Sequence, residues 1–445
     1  MGTLSRTGYL TESNAEIKKE LTVRPIVQGD FGFPPPPFKV FKQTENNLCV
    51  PRFYGVEKCG DPIKDTRPEP AKANIHFVGT LRSETHQIEA VKLAIQTGAG
   101  ILSLPCGYGK TTVALAIASH YKLRTMIVVH KEFLANQWRE RIQQFCPGST
   151  IGVVQRDTIE IECDFVIAML QSLSLKEYNY KQFESIGTLF VDEAHHVCAR
   201  VFSQSLFKLC PLHPFGLSAT PDRKDGLTKV LHWFLGKTFF AVERKNQSQV
   251  HVFPIDFMCP EFHEVPPTNK MGKISLVHMI TDLVTHDSRN QMIIGLITKT
   301  FTETPNRHIL VLSDRREHCK YLQSQFPDNS GLYMGSMKEA DLALSSTKQV
   351  IFGTFSQAHE GLDISSLDTV FLVTPKSDIK QSIGRILRET GGKKNDPMIF
   401  DIVDQWSLLF AMYAKRRRVY KDGGFLIHSD SPSDEKNIFK GTCLM

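Results

Sequence analysis

The residue types best suited to chemistry begin at a glycine-rich turn that leads into Lys110 and Thr111. Gly107 and Gly109 can adopt positive φ angles, so several backbone N–H groups can converge on one phosphate. A helix that begins there adds unpaired N–H groups and the positive end of its dipole. The lysine can then reach the β- and γ-phosphates of ATP, and the threonine hydroxyl can bind Mg²⁺. The pattern predicts a phosphate-binding loop.

Apolar residues on either side of the turn must hold it in place. The run at residues 101–104 predicts a short buried strand, and residues 111–121 predict a mostly buried helix, which is the layout of such a loop. Leu104 stands where the strict pattern has its first glycine, so the prediction depends on this layout rather than on Gly-Lys-Thr alone. The predicted nucleotide contacts are Pro105, Cys106, Gly107, Tyr108, Gly109, Lys110, Thr111 and Thr112.

Two adjacent carboxylates form a second chemical landmark. An apolar run at residues 188–191 predicts a strand that leads into Asp192 and Glu193, and α/β sheets place ligand chemistry at the carboxyl ends of their strands. Asp192 is suited to bind Mg²⁺, and Glu193 to position and deprotonate an attacking water. The alternative, a solvated acidic turn, is the weaker one because an unbroken apolar strand comes first.

Composition sets broad limits. The chain has 445 residues, 41% of them hydrophobic and 22% charged, as in soluble globular proteins with two or three domains. The net charge of +6 permits a polyanionic partner without establishing one. The 10 cysteines include no Cys-x-x-Cys pair, so we expect reduced thiols in an intracellular protein. We find no signal peptide or long apolar run and expect no membrane attachment.

The chain changes character near residue 76. Residues 1–75 contain a proline run, a strand-like stretch at 49–55 and a predicted linker, and we predict a small N-terminal accessory region there. Beyond it, short apolar runs alternate with helical stretches, which predicts parallel sheets covered by helices. We therefore predict an α/β fold with two tandem domains, at residues 76–240 and 241–428, and a flexible tail at 429–445. The main predicted strands lie at 126–129, 151–154, 165–169, 188–191, 215–217, 250–255, 309–312, 331–334, 350–353, 369–373 and 398–402.

Gly109-Lys110-Thr111 followed by Asp192-Glu193-Ala194-His195 resembles the ATP site of superfamily 2 helicases and translocases. Further segments resemble the other motifs of that superfamily, in the same order, over about residues 76–425. They are Leu81-Arg82 with Gln87, Val129-His130-Lys131, Leu170-Gln171-Ser172, Ser218-Ala219-Thr220-Pro221, Leu312-Ser313-Asp314-Arg315, Gly353-Thr354-Phe355 with Glu360 to Asp363, and Gln381 to Arg388. The resemblance implies two RecA-like domains and hydrolysis of ATP with Mg²⁺.

Further segments indicate which branch of the superfamily the chain resembles. Residues 218–226 resemble the XPB-type DNA translocases, the phage DNA helicases and their relatives in large DNA viruses. Residues 313–319, with residues 51–55 ahead of the core, are most similar to the helicases of large eukaryotic DNA viruses. The poxvirus members of that group act in transcript release. This branch does not keep the first glycine of the loop, which accounts for Leu104.

The resemblance also implies roles for individual residues. Adenine would be held by Arg82 and Gln87, and Gly361 and Asp363 would also contact the nucleotide. Catalysis would use Lys110, Asp192, Glu193, Gln381, Arg385 and Arg388, with Thr111 and Asp192 as the Mg²⁺ ligands. Nucleic acid would contact His130, Lys131, Gln171, Ser172 and Thr354, and coupling would involve His195, Ser218 and Thr220.

Two basic segments remain open to two interpretations. Arg385 and Arg388 are three positions apart on a predicted helix and share one face. On the residues alone a basic helix face explains them better, whereas the resemblance favours arginine fingers that enter the ATP cleft when two domains close. The run at residues 415–418 predicts either contact with a phosphate backbone or, alternatively, a solvated face or a localisation-like signal.

We predict an ATP- and Mg²⁺-dependent helicase or translocase that acts on nucleic acid, with DNA preferred. The alternatives are an ATP-dependent RNA helicase and an ATP-gated clamp that binds nucleic acid without efficient turnover. Intact Lys110, Glu193 and Arg388 count against the clamp. We expect transcription or replication machinery as the setting, a location in the host cytoplasm, nucleus or virion, and a chain that can act as a monomer.

Overall fold

The computed structural model describes residues 2–26, 36–44, 46–105, 107–194, 202–219, 225–242, 249–259, 266–268, 272, 274–335, 337–360, 364, 366–379, 382–383 and 395–428. The chain divides into two compact units, Met1–Arg244 and Lys245–Met445. The finer division into residues 1–75, 76–240, 241–428 and 429–445 stays a prediction. Over the described residues, every helix is too short or too polar to cross a membrane.

The start of the chain forms a small sheet of its own. Five strands lie in the order β5-β6-β2-β1-β7, and a two-stranded ribbon and two helices accompany them. The elements are β1 (Thr3–Ser5), β2 (Gly8–Glu12), α1 (Ala15–Glu20), β3 (Thr22–Val23), β4 (Phe38–Lys39), β5 (Lys42–Gln43), β6 (Asn47–Val50), α2 (Arg52–Cys59) and β7 (Lys64–Asp65). β3 pairs with β4.

The strand predicted at residues 49–55 is wrong in its second half. β6 ends at Val50, and α2 begins at Arg52 directly after Pro51. Proline lacks the N–H that a strand partner needs, and its fixed φ suits the start of a helix. The helix ends at Cys59 and is capped by Gly60, whose φ of 84° few other residues adopt.

The first unit is built on an eight-stranded sheet in the order β11-β10-β12-β9-β13-β14-β8-β15. Its strands are β8 (Gly100–Ser103), β9 (Thr125–Val129), β10 (Ile151–Gln155), β11 (Thr158–Ile159), β12 (Phe165–Met169), β13 (Thr188–Asp192), β14 (His213–Ser218) and β15 (Thr238–Ala241). All neighbours are parallel except the antiparallel pair β10 and β11. The helices are α3 (Gln87–Thr97), α4 (Lys110–Tyr121), α5 (Glu132–Phe145), α6 (Leu170–Leu175) and α7 (Thr228–Leu235), with 3₁₀ helices at Tyr180–Phe183 and Phe202–Lys208.

Both faces of this sheet are covered. α3, α4 and α5 pack on one face. α6 and α7 pack on the other, together with Val23, Phe38 and Val40 from the N-terminal stretch. Strands buried on both faces are apolar along their whole length rather than alternating, which is why they are visible in the sequence.

The second unit contains a seven-stranded, wholly parallel sheet in the order β18-β19-β17-β20-β21-β16-β22. Its strands are β16 (His251–Phe257), β17 (Ile309–Ser313), β18 (Ser330–Tyr333), β19 (Val350–Thr354), β20 (Thr369–Leu372), β21 (Met398–Asp404) and β22 (Leu426–Ile427). Its helices are α8 (Leu276–Thr285), α9 (Asp287–Glu303), α10 (Arg316–Ser324), α11 (Glu339–Ser346), α12 (Phe355–Glu360) and α13 (Leu408–Asp422). The predicted α/β fold with parallel sheets is confirmed.

Two buried ion pairs fasten helices to the two faces of β21. Arg289 of α9 donates to Asp404 with Nε 2.7 Å from Oδ1, and Arg416 of α13 donates to Asp401 with Nε 2.8 Å from Oδ2. Asp401 and Asp404 are three positions apart on the strand and therefore face opposite sides. Arg416 also donates to the carbonyl of Lys376.

The interpretation of residues 415–418 as one exposed basic run is wrong for Arg416. Its side chain is only 2% exposed, because the helix turns it toward Asp401 while Lys415, Arg417 and Arg418 point to solvent. Arg416 is therefore a structural residue of the second unit, and only the other three side chains of this run are open to a ligand.

We expect Arg416→Ala to destabilise the second unit by about 3 kcal/mol, because it leaves the buried carboxylate of Asp401 without its cation. Hydrogen exchange of the segment Met398–Asp404 during urea unfolding measures this. Arg418→Ala is the matched control, since Arg418 lies on the same helix with an exposed side chain. Equal protection of the strand in the two variants would contradict the role given to Arg416.

Candidate functional site

The carboxyl ends of the central strands of the first sheet meet at one edge. β13 lies between β9 and β14, and β14 lies beside β8. The strands end at Ser103, Val129, Asp192 and Ser218. The phosphate loop, the segment at His130, the carboxylates and the start of the coupling segment are therefore neighbours in space, although they are far apart in sequence.

Two glycines shape the phosphate loop. Gly107 has a φ of 89° and Gly109 a φ of 78°, a region that residues with a Cβ rarely occupy. A Cβ on Gly109 would lie 2.5 Å from Nε2 of Gln87, so any side chain there collides with its neighbour. α4 begins at Lys110, directly after this glycine, and its first N–H groups lie beside the loop.

Lys110 lies between the loop and the acidic pair. Its Nζ is 3.9 Å from Oε1 of Glu193 and donates to the carbonyl of Leu104 at 3.4 Å. Thr111 and Thr112 follow in the first turn of α4. Lys110 thus connects the loop with the acidic pair, and two threonines follow it in the turn beside the loop.

Two donors from different elements hold the carboxylate of Asp192. Its Oδ1 accepts from the backbone N–H of Glu193 at 2.9 Å, and its Oδ2 accepts from the indole N–H of Trp138 at 2.8 Å. Burial raises the pKa of Asp192, and the charge of Glu193 raises it further. Glu193 itself has a φ of 46°, a backbone strain of the kind that clusters at functional sites.

The residues predicted to hold adenine are tied to the phosphate loop. The amide of Gln87 accepts from the N–H of Arg82 and donates to the carbonyl of Tyr108, both at 2.9 Å. Gln87 is 1% exposed, and Nη2 of Arg82 donates to the carbonyl of Gly107 at 3.3 Å. A role for Arg82 and Gln87 in recognising adenine stays a prediction. The structure adds that both side chains donate hydrogen bonds to backbone carbonyls of the loop.

The predicted nucleic-acid segments of the first unit are brought together. The amide of Gln171 donates to the carbonyl of His130, and Oγ of Ser172 accepts from the N–H of Arg156 at 2.9 Å. His130 is 7% exposed, so its contribution to a surface is small. Lys131 is half-buried, and burial lowers its pKa.

The structure describes two of the remaining predicted residues, each at the end of a strand. Ser218 is fully buried at the end of β14, where its carbonyl accepts from the N–H of Leu104 at 3.1 Å. Thr354 ends β19 in the second unit, with its hydroxyl 3.3 Å from that of Ser356. The others lie outside the described residues: Cys106, His195, Thr220, Gly361, Asp363, Gln381, Arg385 and Arg388.

The groups present fit Mg²⁺ and ATP. Hydroxyl and carboxylate oxygens, as at Thr111 and Asp192, are the protein ligands that Mg²⁺ prefers. The crowded cradle at Gly109, a helix N-terminus and Lys110 suit a polyphosphate.

Comparison with known proteins assigns the chain to a family. Residues 80–223 match the family model described as "Type III restriction enzyme, res subunit". A candidate ATP-dependent RNA helicase of Acanthamoeba polyphaga mimivirus is 34% identical over 94% of this chain and 84% of its own length. The chain belongs to the ATP-dependent helicases of large DNA viruses.

A second viral relative agrees with that assignment, and a solved structure shares the fold. A candidate helicase of invertebrate iridescent virus 6 is 28% identical over 79% of this chain and 83% of its own length. The helicase Lhr of Mycobacterium smegmatis, solved with single-stranded DNA and AMP-PNP, shares the fold with a TM-score of 0.53 and 18% identity over 77% of this chain and 48% of that one. The resemblance to superfamily 2 helicases and the prediction of an ATP-hydrolysing enzyme are confirmed.

Sequence reasoning about the viral helicase missed Trp138. A signal was present, because Leu134, Trp138 and Ile142 recur every four residues along one face of α5 and so predict a buried tryptophan. A buried indole N–H requires an acceptor. Only the structure shows that the acceptor is Asp192.

We expect Trp138→Phe to lower the ATPase rate of the viral helicase about 10-fold, because partners that orient metal ligands contribute on that scale. The phenyl ring keeps most of the packing while the N–H is lost. Titration of the ATPase with Mg²⁺ should also show a higher half-saturating concentration. Trp233→Phe is the control in the same unit, and equal behaviour of both variants would contradict the role of Trp138.

Proposed function

We propose that this viral helicase couples Mg²⁺-dependent hydrolysis of ATP to movement along DNA or to unwinding of its duplex. The main support is the shared edge of the first sheet. The phosphate loop and the carboxylates follow β8 and β13, and the segments at His130 and Gln171 follow β9 and β12. Since β9 lies between β12 and β13, a shift at the nucleotide reaches the nucleic-acid segments through adjacent strands.

In this proposal, different residues bind the phosphates, hold Mg²⁺ and activate the attacking water. Lys110 and the N–H groups of the loop bind phosphates, and Thr111 and Asp192 hold Mg²⁺, which neutralises phosphate charge when bound. Glu193 orients the attacking water and accepts its proton. The ammonium of Lys110 lies 3.9 Å from Oε1 of Glu193, so the phosphate-binding lysine and the proposed base are neighbours.

The resemblance supplies the rest of the proposed site. By this resemblance, Arg385 and Arg388 would act as arginine fingers on the departing phosphate, and Gln381 would also contribute to catalysis. Gly361 and Asp363 contact the nucleotide. His195 and Thr220 join Ser218 in coupling hydrolysis to motion.

The preference for DNA derives from the similarity of residues 218–226 to DNA translocases. An RNA helicase is the second candidate, because the mimivirus relative and relatives from African swine fever virus are named as candidate ATP-dependent RNA helicases. We also propose transcription or replication machinery as the setting, in the host cytoplasm or nucleus or in the virion, on the ground that the relatives are viral. An ATP-gated clamp is disfavoured, since Lys110 and Glu193 lie in a geometry suited to turnover.

We expect Glu193→Gln to retain ATP binding and lose at least about 100-fold in turnover, in line with the contribution of a general base. Steady-state hydrolysis and equilibrium binding of a fluorescent ATP analogue measure the two effects. Glu89→Gln is the control, since Glu89 is exposed on α3. Turnover close to that of the unmodified protein in Glu193→Gln would exclude this glutamate as the base.

Single-stranded DNA, duplex DNA and RNA of one sequence should stimulate the ATPase differently, with DNA the stronger activator. Because a motor must release each step, it should grip the backbone and not the bases. Binding should therefore be insensitive to sequence and weaken steeply with salt. Equal or greater stimulation by RNA would favour the RNA helicase, with the proposed ATP site unchanged.

A further inference from the structure

Four basic residues follow one another from the turn after β10 to the N-terminal stretch. The series begins at Arg156, in the turn after β10, and continues through Lys208, at the end of the second 3₁₀ helix, to Lys42 and Lys39. These four residues are called the basic strip below.

The first half of the basic strip adjoins a predicted nucleic-acid segment. The N–H of Arg156 donates to Oγ of Ser172 at 2.9 Å, and its carbonyl accepts from the hydroxyl of Tyr178 at 2.6 Å. Nζ of Lys208 lies 5.8 Å from the centre of the Tyr178 ring and donates to the carbonyl of Leu173 in α6. Arg156 and Lys208 thus flank one tyrosine beside the helix that begins at the predicted segment.

The second half connects Lys208 to the N-terminal stretch. Nζ of Lys42 lies 5.5 Å from the centre of the Phe207 ring. Burial, and then the charge of Lys42, lower the pKa of Lys208, so the two ammonium groups are close enough to repel each other. The carbonyl of Lys39 accepts from Gln204 of the same 3₁₀ helix at 3.1 Å.

Most of this positive charge is uncompensated. Within the part of the chain that the structure describes, Lys39, Lys42 and Arg156 have no carboxylate at ion-pair distance. Two acids lie in the same area: Asp157 is paired with Lys176, and Glu177 interacts with Lys208. Holding several cations together without matching anions costs energy in the free protein, and a polyanion would relieve it.

We infer that the basic strip binds the phosphate backbone of DNA, so that the N-terminal stretch extends the nucleic-acid track of the first unit. The inference rests on the proposed function. Phe41 and Phe207, which lie under the ammonium groups of Lys39 and Lys42, are buried and offer no free face on which a base could stack. Such a surface suits phosphates and not bases. The ring contacts also restrain the lysines, which lowers the entropy lost on binding.

The test is the salt dependence of DNA binding by the full-length double variant Lys39→Ala, Lys42→Ala. Fluorescence anisotropy with a labelled single strand and a labelled duplex gives affinity across a salt series. If each lysine contacts one phosphate, the slope of log affinity against log salt should become shallower by about 1.4 for the single strand and about 1.8 for the duplex. The charge-preserving variant Lys39→Arg, Lys42→Arg should keep the original slope.

The matched control is Lys19→Ala, Lys64→Ala. It removes the same charge from exposed positions, and Lys64 lies on β7, at the opposite edge of the N-terminal sheet from β5 and Lys42. Equal slopes in the two double variants would overturn the inference, because net charge alone would then explain any change. If the unmodified chain binds no DNA, the proposed function fails instead. Arg156→Asn extends the test to the other end, since asparagine tolerates the φ of 52° found there.

Discussion

The proposed ATP site depends on keeping one partly buried carboxylate, that of Asp192, in a single orientation without neutralising it. A buried charge is costly unless it is hydrogen-bonded. Here the donors are the N–H of Glu193 and the indole N–H of Trp138, both of which are neutral. The carboxylate is therefore fixed while its charge stays available to a metal ion. Because Trp138 belongs to the apolar face of α5, the packing of this helix on the sheet determines where Oδ2 of Asp192 points.

In the second unit, two buried carboxylates are held by charged partners instead of neutral ones. Asp401 and Asp404 are buried in the middle and at the end of β21, and each receives an arginine from the helix that covers its face. A carboxylate neutralised by a guanidinium serves as an attachment point and has little charge left for a ligand. The contrast between indole and guanidinium partners thus separates the carboxylate suited to chemistry from those suited to structure.

The parts of the molecule that could be predicted from sequence are those determined by local pattern. Strands such as β9, β12 and β17 are continuous apolar runs because both of their faces are covered. The turn at Gly107 and Gly109 was visible because positive φ restricts residue choice. Contacts between distant segments were not predictable: the position of Trp138 next to Asp192, and of Arg416 next to Asp401, depends on how helices cross the sheets. α2 was missed because its apolar residues match a strand as well as a helix, and only the proline and glycine at its ends distinguish the two.

The N-terminal stretch contains no chemical motif, but it packs against the strands that lead into the proposed ATP site. Val23, Phe38 and Val40 lie in the same buried cluster as Ile101 of β8 and Val191 of β13. These two strands carry the phosphate loop and Asp192. The N–H of Ile26 also donates to the carbonyl of Asp225 at 3.0 Å, just beyond the predicted coupling segment. Since apolar burial is the main favourable term in folding, the stretch is part of the core that supports the ends of β8 and β13, and it also carries Lys39 and Lys42 of the basic strip.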